Sequence, residues 1–300
     1  MRRALVSALA ALLCPPAGWS ASGHVVSGTL ESAILGRSMV YHVFLPGASP
    51  QMGDGYPVVY FLDGLHSRPE RWFRWGGMEI AERLLESSTA VPFAVVVADA
   101  DNSFYVNMAG GRGNYEDYFI KEVIPTLEQR FPIRADRDGR ALSGTSMGGY
   151  GAIKLGLKYP ELFGSVSAHS AMLLPVPLEQ IPESYKNSWG WRGFTLAFGN
   201  PPDPELWRAN DPWVLLASRE AGELPAIYFD CGTEDRYRFF DGAKVLSQKM
   251  KAAGVAHEFH LYPGNHGWEY LNTVMDKSLA FHNEYFRKNP PRPLLLRGER

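Results

Sequence analysis

The sequence contains few cysteines, and it carries no large excess of charge of either sign. Only Cys14 and Cys231 are cysteines among its 300 residues, and Cys14 falls within an N-terminal segment typical of a leader peptide. Once that segment is removed, no intramolecular disulfide can form, so the fold must be stable through its core. Lys and Arg total 30 against 32 Asp and Glu, for a formal net charge of −2. Because this balance gives no long-range attraction for nucleic acid or anionic lipid, we expect no nucleic-acid partner.

Long apolar runs are also missing from the sequence. The run at 4–13 follows Arg2 and Arg3 and precedes two prolines and several small residues. That order is typical of a secretory signal peptide, and the run is shorter than the roughly 20 apolar residues of a membrane helix. We therefore predict a signal peptide over 1–22, cleaved after Ser20 or Ser22, and an exported protein, periplasmic or extracellular. We expect no integral membrane segment after processing; the paired arginines leave twin-arginine export as a weaker alternative.

The remaining chain alternates strand and helix patterns. Residues 24–45 alternate between apolar and polar, which predicts two antiparallel strands joined near Gly36. Continuous apolar runs then predict strands buried on both faces, at 57–63, 92–99, 139–144, 164–170, 225–230 and 256–263. Helical patterns lie between them, at 71–87, 115–131, 147–158, 239–253 and 268–287. This alternation predicts an α/β fold, a mostly parallel twisted sheet with helices on both faces.

One domain accounts for this pattern, and we place it at 23–288. The stretch 172–221 interrupts the alternation and is rich in Pro and Trp. Loops of this length in compact domains are commonly functional or contain small helices of their own, so we predict a cap-like insertion over the carboxyl edge of the sheet. The residues 289–300 contain two early prolines, a short apolar patch and charge, and they predict a flexible tail.

A glycine-flanked serine lies at a predicted strand–helix junction. In "GTSMG", Ser146 stands between Gly144 and Gly148, after a buried strand and before a helix, which is the context of a GxSxG nucleophile elbow. Glycines permit so tight a turn, and the serine is expected to be strained. The helix that begins at Met147 would direct free N–H groups toward a developing negative charge. A packing corner with an ordinary turn serine is the alternative.

A serine nucleophile needs a base, and that base needs a group to orient it. On such a fold the acid and then the histidine follow the serine along the chain. The segment "LYPGNHGWEY" supplies His266 in a loop after the last strand, whereas His257 and His260 lie within a strand. Three acids lie at or just after the end of the preceding strand: Asp230, Glu234 and Asp235. We predict His266 as the base and Asp235 as its acid, since Asp235 lies far enough past the strand for a loop to turn it inward.

Two further groups of residues complete the predicted site. The oxyanion hole would be formed by the N–H of Met147 and that of Leu65 in "FLDGLHS", although a plain turn is the alternative for that loop. Aromatic residues could form a pocket for an acyl or aryl group, or they could simply pack the insertion onto the sheet. The candidates for substrate binding are Trp189, Trp191, Trp213, Trp268 and Tyr105.

These segments together resemble one family. The motifs "GTSMGGYGA", "CGTED", "YPGNHGW", "NSFYVN", "YEDYFIKEVIP" and "WRANDP" are similar to those of the esterase D family of α/β hydrolases. That family includes S-formylglutathione hydrolases, tributyrin-type esterases, feruloyl esterases and mycolyltransferase antigens. The likeness extends over about 40–286 and implies the α/β-hydrolase fold. It also implies Ser146 as nucleophile, Asp235 as acid, His266 as base, and an oxyanion hole of Leu65 and Met147.

The expected function is that of an exported serine carboxylesterase, which uses no metal or cofactor. Its partner would be a small-molecule or glycan-linked ester, hydrolysed through an acyl-enzyme intermediate. The chain has Asp63-Gly64 where many small esterases of the family have His-Gly, and this is closer to the mycolyltransferase version. An acyltransferase that passes the acyl group to a sugar or alcohol is therefore one alternative. A non-catalytic envelope binding module is another, and the oligomeric state is left open.

Overall fold

The computed structural model describes residues 23–47, 55–186 and 189–291, except for the side chain of Trp189. The predicted signal peptide and all but the first three residues of the predicted tail lie outside the described residues. Among the residues that are described, no helix is both long and apolar enough to cross a membrane.

Eight strands form a single sheet in the described chain. They are β1 His24–Ser32, β2 Arg37–Leu45, β3 Val58–Leu62, β4 Ala94–Ala98, β5 Arg140–Gly144, β6 Ser165–His169, β7 Ala226–Gly232 and β8 Glu258–Tyr262. Their order in the sheet is β1-β2-β4-β3-β5-β6-β7-β8. The β1–β2 and β2–β4 pairs are antiparallel, and all other pairs are parallel. The predicted hairpin followed by a parallel sheet is thus confirmed.

Helices cover this sheet on both faces. They are α1 Glu70–Arg74, α2 Gly77–Leu85, α3 Tyr115–Tyr118, α4 Ile124–Arg130, α5 Met147–Lys158, α6 Glu183–Lys186, α7 Trp189–Phe198, α8 Pro204–Arg208, α9 Pro212–Ala217, α10 Phe239–Ala252 and α11 Trp268–Lys288. The pattern confirms the predicted α/β fold class. Because the loops that follow β5, β7 and β8 leave the same carboxyl edge, residues distant in sequence meet there.

Two predicted helices differ from the observed ones. The helix expected at 71–87 is divided into α1 and α2 by Gly76, whose φ of 110° no continuous right-handed helix permits. The helix expected at 115–131 contains a π-helical turn, Phe119–Val123, between α3 and α4. Pro125 follows this turn in the first residues of α4, where its missing N–H removes one helical hydrogen bond.

The core lies in two layers, one on each face of the sheet, and β3 shows the division. Val58, Tyr60 and Leu62 belong to the larger cluster. Val59 and Phe61 point to the opposite face and belong to the second cluster. Successive side chains of a strand alternate between faces, so a strand buried on both faces is apolar at every position. This is why the continuous apolar runs predicted these strands.

In its described residues the insertion contains the short helices α6 to α9, and aromatic rings attach it to α5. Phe194 stacks on Phe198 with ring centroids 4.5 Å apart and on Trp191 at 4.9 Å. Trp207 stacks on Tyr150 of α5 at 6.1 Å. Burial of such large rings dominates local packing energies. These contacts fix the insertion against the helix that follows Ser146.

Candidate active site

The turn between β5 and α5 holds Ser146 in an unusual backbone conformation, with φ of 56° and ψ of −114°. A Cβ atom at Gly148 would overlap the backbone carbonyl of Leu62 on the neighbouring strand, and one at Gly144 would overlap the Gly148 carbonyl. Glycine at both flanking positions therefore allows the tight turn. A non-glycine residue at positive φ costs about 1–3 kcal/mol, and the strained turn presents the Ser146 side chain to the cavity described below.

His266 joins Ser146 to Asp235. Its Nε2 lies 3.1 Å from the Ser146 Oγ, and its Nδ1 lies 2.8 Å from Asp235 Oδ2. The three residues come from the loops that follow β5, β7 and β8. The Asp235 side chain is fully buried and that of His266 is 10% exposed. With Nδ1–H donating to the carboxylate, Nε2 is free to accept a proton from the serine hydroxyl.

The surroundings of Asp235 keep its carboxylate ionised. Burial acts to raise the pKa of Asp235, but the hydrogen bond and charge of His266 and the Tyr237 amide outweigh it, and the pKa is lowered. The Tyr237 N–H donates to Asp235 Oδ1 at 2.9 Å. The neighbouring Cys231 thiol is buried, and its pKa is raised well above the ordinary value. Asp235 is therefore a buried acceptor for the imidazole.

The imidazole of His266 is held in place by its neighbours. The ring of Tyr237 stands edge-on to it, with centroids 4.8 Å apart, and that of Phe239 lies at 5.4 Å. Asn265 Oδ1 accepts the His266 N–H at 2.7 Å and the Arg236 N–H at 2.9 Å. These two bonds tie the loop of the acid to the loop of the histidine, so that Asp235 and His266 keep their mutual geometry.

A second grouping of serine, histidine and aspartate lies inside the protein. His169 Nδ1 is 2.8 Å from Asp230 Oδ2, and its Nε2 is 2.9 Å from Ser278 Oγ. All three residues are buried, with at most 1% exposure. Asp230 also accepts the Tyr270 hydroxyl at 2.7 Å. The grouping thus joins β6, β7 and α11 in the core, and none of its members lines the cavity beside Ser146.

That cavity has a volume of about 250 Å³. Ser146 and His266 both lie in its wall. The remaining wall includes Trp268 and Leu271 of α11, Met172 and Gly190 of the insertion, Arg71 of α1, Phe239 of α10, and the loop residues Gly64, Leu65, Ser67, Thr145, Arg236, Tyr237 and Gly267. The volume suits a small acyl or aryl group beside the serine.

The loop after β3 lies directly against the serine. A Cβ at Gly64 would be only 3.4 Å from the Ser146 Cβ, and Leu65 lines the cavity. Met147, the other predicted oxyanion residue, is the first residue of α5. Neither the Leu65 nor the Met147 N–H donates to a partner among the described residues. Both predicted donors are thus next to the serine and unengaged.

Comparison with known proteins identifies the family. The Esterase family model, described as "Putative esterase", matches residues 32–282. The chain belongs to this esterase family. An acetyl esterase of Caldicellulosiruptor saccharolyticus is 28% identical over 73% of this chain and 80% of its own length. Esterase Rv1288 of Mycobacterium tuberculosis is 26% identical over 79% of this chain, which spans about half, 54%, of that protein.

Among solved structures, a ferulic acid esterase is 28% identical, with a TM-score of 0.73. The match covers 89% of this chain and 100% of that one. Together with the family match, this confirms the resemblance to the esterase D family and the α/β-hydrolase fold.

The aromatic residues predicted to bind substrate occupy different places in this esterase. Trp268 lines the cavity, whereas the side chain of Trp189 lies outside the described part of the chain. Three others are absent from the cavity wall. Trp191 is 8% exposed and lies within the aromatic cluster of the insertion. Tyr105 is 1% exposed, and its hydroxyl donates to the Asp63 carbonyl. The ring of Trp213 lies under the Lys249 ammonium group, 4.4 Å from it. Packing accounts for these three.

Several wall residues were not predicted from the sequence, among them Arg71 and three residues of the loop after Asp235. Arg236, Tyr237 and Phe239 follow Asp235 almost directly, so the assignment of the acid already indicated that their loop would border the site. Arg71 is different, because nothing in its local sequence signals the site. It lies in α1 and belongs to the cavity wall through the packing of distant segments.

Proposed function

We propose that the protein is a serine carboxylesterase in which Ser146 is the nucleophile, His266 the general base and Asp235 the group that orients the imidazole. The observation that carries this proposal is the placement of His266, which contacts both partners at the wall of the cavity. Export through the segment 1–22 belongs to the proposal and is supported by the sequence pattern alone.

In the proposed reaction, Ser146 Oγ attacks the ester carbonyl while His266 Nε2 takes its proton. The negative charge that develops on the carbonyl oxygen is stabilised by the N–H groups of Leu65 and Met147. The imidazolium, held by Asp235, then gives its proton to the departing alcohol, and an acyl-enzyme remains. Water, activated by the same imidazole, releases the acid and restores the serine. No step requires a metal or a cofactor.

The interior grouping supplies a matched control for the experiment. In both groupings a serine hydroxyl lies about 3 Å from the Nε2 of a histidine whose Nδ1 pairs with an aspartate 2.8 Å away. Ser146→Ala and Ser278→Ala therefore remove chemically equivalent groups from two different places. Hydrolysis of p-nitrophenyl acetate and labelling by a fluorophosphonate probe are measured for both variants and for the wild type.

We expect Ser146→Ala to lose about 10³-fold or more in kcat and all labelling, because the nucleophile is gone. Ser278→Ala should keep both, although its loss of a buried hydrogen bond should lower the Tm slightly. Circular dichroism verifies that each variant is folded. Retention of labelling and turnover in folded Ser146→Ala would show that the nucleophile has been misassigned, and loss of both in folded Ser278→Ala would favour the interior grouping.

A further inference from the structure

Two arginines line the cavity of the candidate active site, and its described wall contains no acidic residue. Arg71 is the second residue of α1, and Arg236 directly follows Asp235; both belong to the cavity wall. A guanidinium is positively charged at every pH at which proteins are studied. The cavity therefore carries two positive charges in a chain whose formal net charge is −2. This local charge is opposite to that of the molecule as a whole.

Neither guanidinium is ion-paired with a carboxylate of the described residues, although the charge of Arg71 acts on the buried carboxyl group of Asp63. Arg71 lies over the ring of Trp75 at 4.9 Å from its centroid, and Arg236 lies over the ring of Tyr237 at 5.1 Å. No hydrogen bond or ion pair joins either side chain to a carboxylate in the described parts of the chain, whereas Arg238 pairs with one at 2.8 Å. A guanidinium on an aromatic face retains the N–H donors at its edge. The aromatic rings therefore hold both guanidinium groups in place, and their N–H groups remain able to donate to a ligand.

The two arginines come from different segments of the cavity wall. The Arg236 N–H donates to Asn265, the residue before His266, so Arg236 lies on the side of the imidazole. In the proposed reaction the departing alcohol must be on that side, because His266 returns the proton to it. Arg71 belongs to α1, which follows the loop of Gly64 and Leu65 along the chain.

We propose that this esterase acts on esters that also carry a carboxylate, and that Arg71 and Arg236 bind this carboxylate. The planar fork of a guanidinium donates two parallel hydrogen bonds that match the two oxygens of a carboxylate. A neutral ester would leave both guanidinium groups without a hydrogen-bonded carboxylate. The inference rests on the proposed function, since it names the substrate class of that same site.

The test uses two pairs of esters that differ in charge. p-Nitrophenyl hemisuccinate and p-nitrophenyl butyrate have acyl chains of equal length, and only the first carries a carboxylate. 4-Acetoxybenzoate and 4-acetoxybenzamide share an acetyl group, and only the first carries a carboxylate on the alcohol side. For each pair, the ratio of kcat/KM for the charged ester to that for the neutral one is measured in low salt.

Each arginine has a matched control on the same segment. Arg71→Gln is compared with Arg74→Gln, because Arg74 lies three residues later in α1 and is exposed outside the cavity wall. Arg236→Gln is compared with Arg238→Gln, whose side chain pairs outside the cavity. Each comparison removes one positive charge from the same region, so a general loss of attraction affects both members equally.

We expect the wild type to prefer the charged ester of at least one pair. Arg71→Gln or Arg236→Gln should lower that ratio about tenfold, mostly through a higher KM for the charged ester, as expected for the loss of one charge-assisted hydrogen bond. The control variants Arg74→Gln and Arg238→Gln should change the ratio of kcat/KM values less than twofold. The pair that responds reveals whether the carboxylate belongs to the acyl or to the alcohol part.

An unchanged ratio in both cavity variants, or no charge preference in either pair, would overturn the inference. If Ser146 is still labelled and the neutral esters are still hydrolysed, the proposed function stands and only the inference about the carboxylate falls. Failure to hydrolyse any of the four esters, with no labelling of Ser146, would overturn both together.

Discussion

Asp63 is a buried carboxyl group whose ionisation should limit the stability of the fold. It follows β3 and begins the loop that contains Leu65. The residue is 7% exposed, and its Oδ2 has no hydrogen-bond partner among the described residues. Its Oδ1 accepts the Ser67 hydroxyl at 3.0 Å. Burial raises the pKa of Asp63 to about 7, against the Ser67 hydrogen bond and the charge of Arg71, which lower it.

The sign of the pH dependence follows from this raised pKa. In the unfolded chain Asp63 ionises near its ordinary pKa of 3.8, whereas in the folded protein it stays neutral up to about pH 7. Between about pH 4 and pH 7, folding therefore takes up a proton at Asp63. The stabilisation that this proton gives to the folded state is complete below about pH 4 and is lost as the pH rises through about 7. The difference of about three pKa units corresponds to about 4 kcal/mol over the full window.

Asp63→Asn tests this magnitude, because asparagine has nearly the shape of the neutral acid and cannot ionise. The free energy of unfolding is measured by urea denaturation, followed by tryptophan fluorescence, at pH 5 and pH 8. Between these pH values, the variant should gain about 3 kcal/mol of stability relative to the wild type. Glu234→Gln, at an exposed position, serves as the control and should show no such gain. Parallel pH profiles for Asp63→Asn and the wild type would refute the reasoning.

Two further predictions concern the geometry around the serine. Asp235→Asn should lower kcat for p-nitrophenyl acetate about 10⁴-fold, because the amide stabilises the wrong tautomer of the imidazole. Glu234→Gln should lower kcat less than about twofold. If Glu234→Gln instead lowers kcat more than Asp235→Asn does, the acid is reassigned to Glu234. Gly148→Ala should reduce the free energy of unfolding by roughly 3 kcal/mol, since its Cβ would overlap the Leu62 carbonyl. Gly222→Ala, where a Cβ meets no atom within 4 Å, is the control, and equal Tm values for these two variants would contradict the steric argument.

The strands were predictable because each is defined by its own residues. A strand buried on both faces is apolar throughout, as in β4, where all five residues are buried. The division between α1 and α2 was not predictable in this way. An apolar helical pattern continues across Gly76, and only the backbone angle of that residue shows that the helix ends. A Cβ at Gly76 would also lie 3.0 Å from Asn272 of α11, a contact that the local sequence does not reveal.

The site was predictable to the extent that it depends on turns at the ends of strands. Ser146 is specified by flanking glycines, and His266 by the last strand. The acid was open from sequence, because Asp230, Glu234 and Asp235 are close together and only loop geometry separates them. In the structure, Asp235 contacts His266, Asp230 pairs with His169, and Glu234 is exposed. The cavity wall depends on contacts between distant segments, which local patterns do not contain.

The two groupings of serine, histidine and aspartate show why such contacts alone do not define an active site. Both have the same residue types at nearly equal distances. Ser278, however, also donates to the Met275 carbonyl in its own helix and is fully buried, so no ester can approach it. Ser146 stands on a strained turn in the wall of a cavity, beside two backbone N–H groups that have no partner among the residues described. Access and the oxyanion donors, rather than the hydrogen-bonded chain itself, are what make one of these groupings a candidate for catalysis.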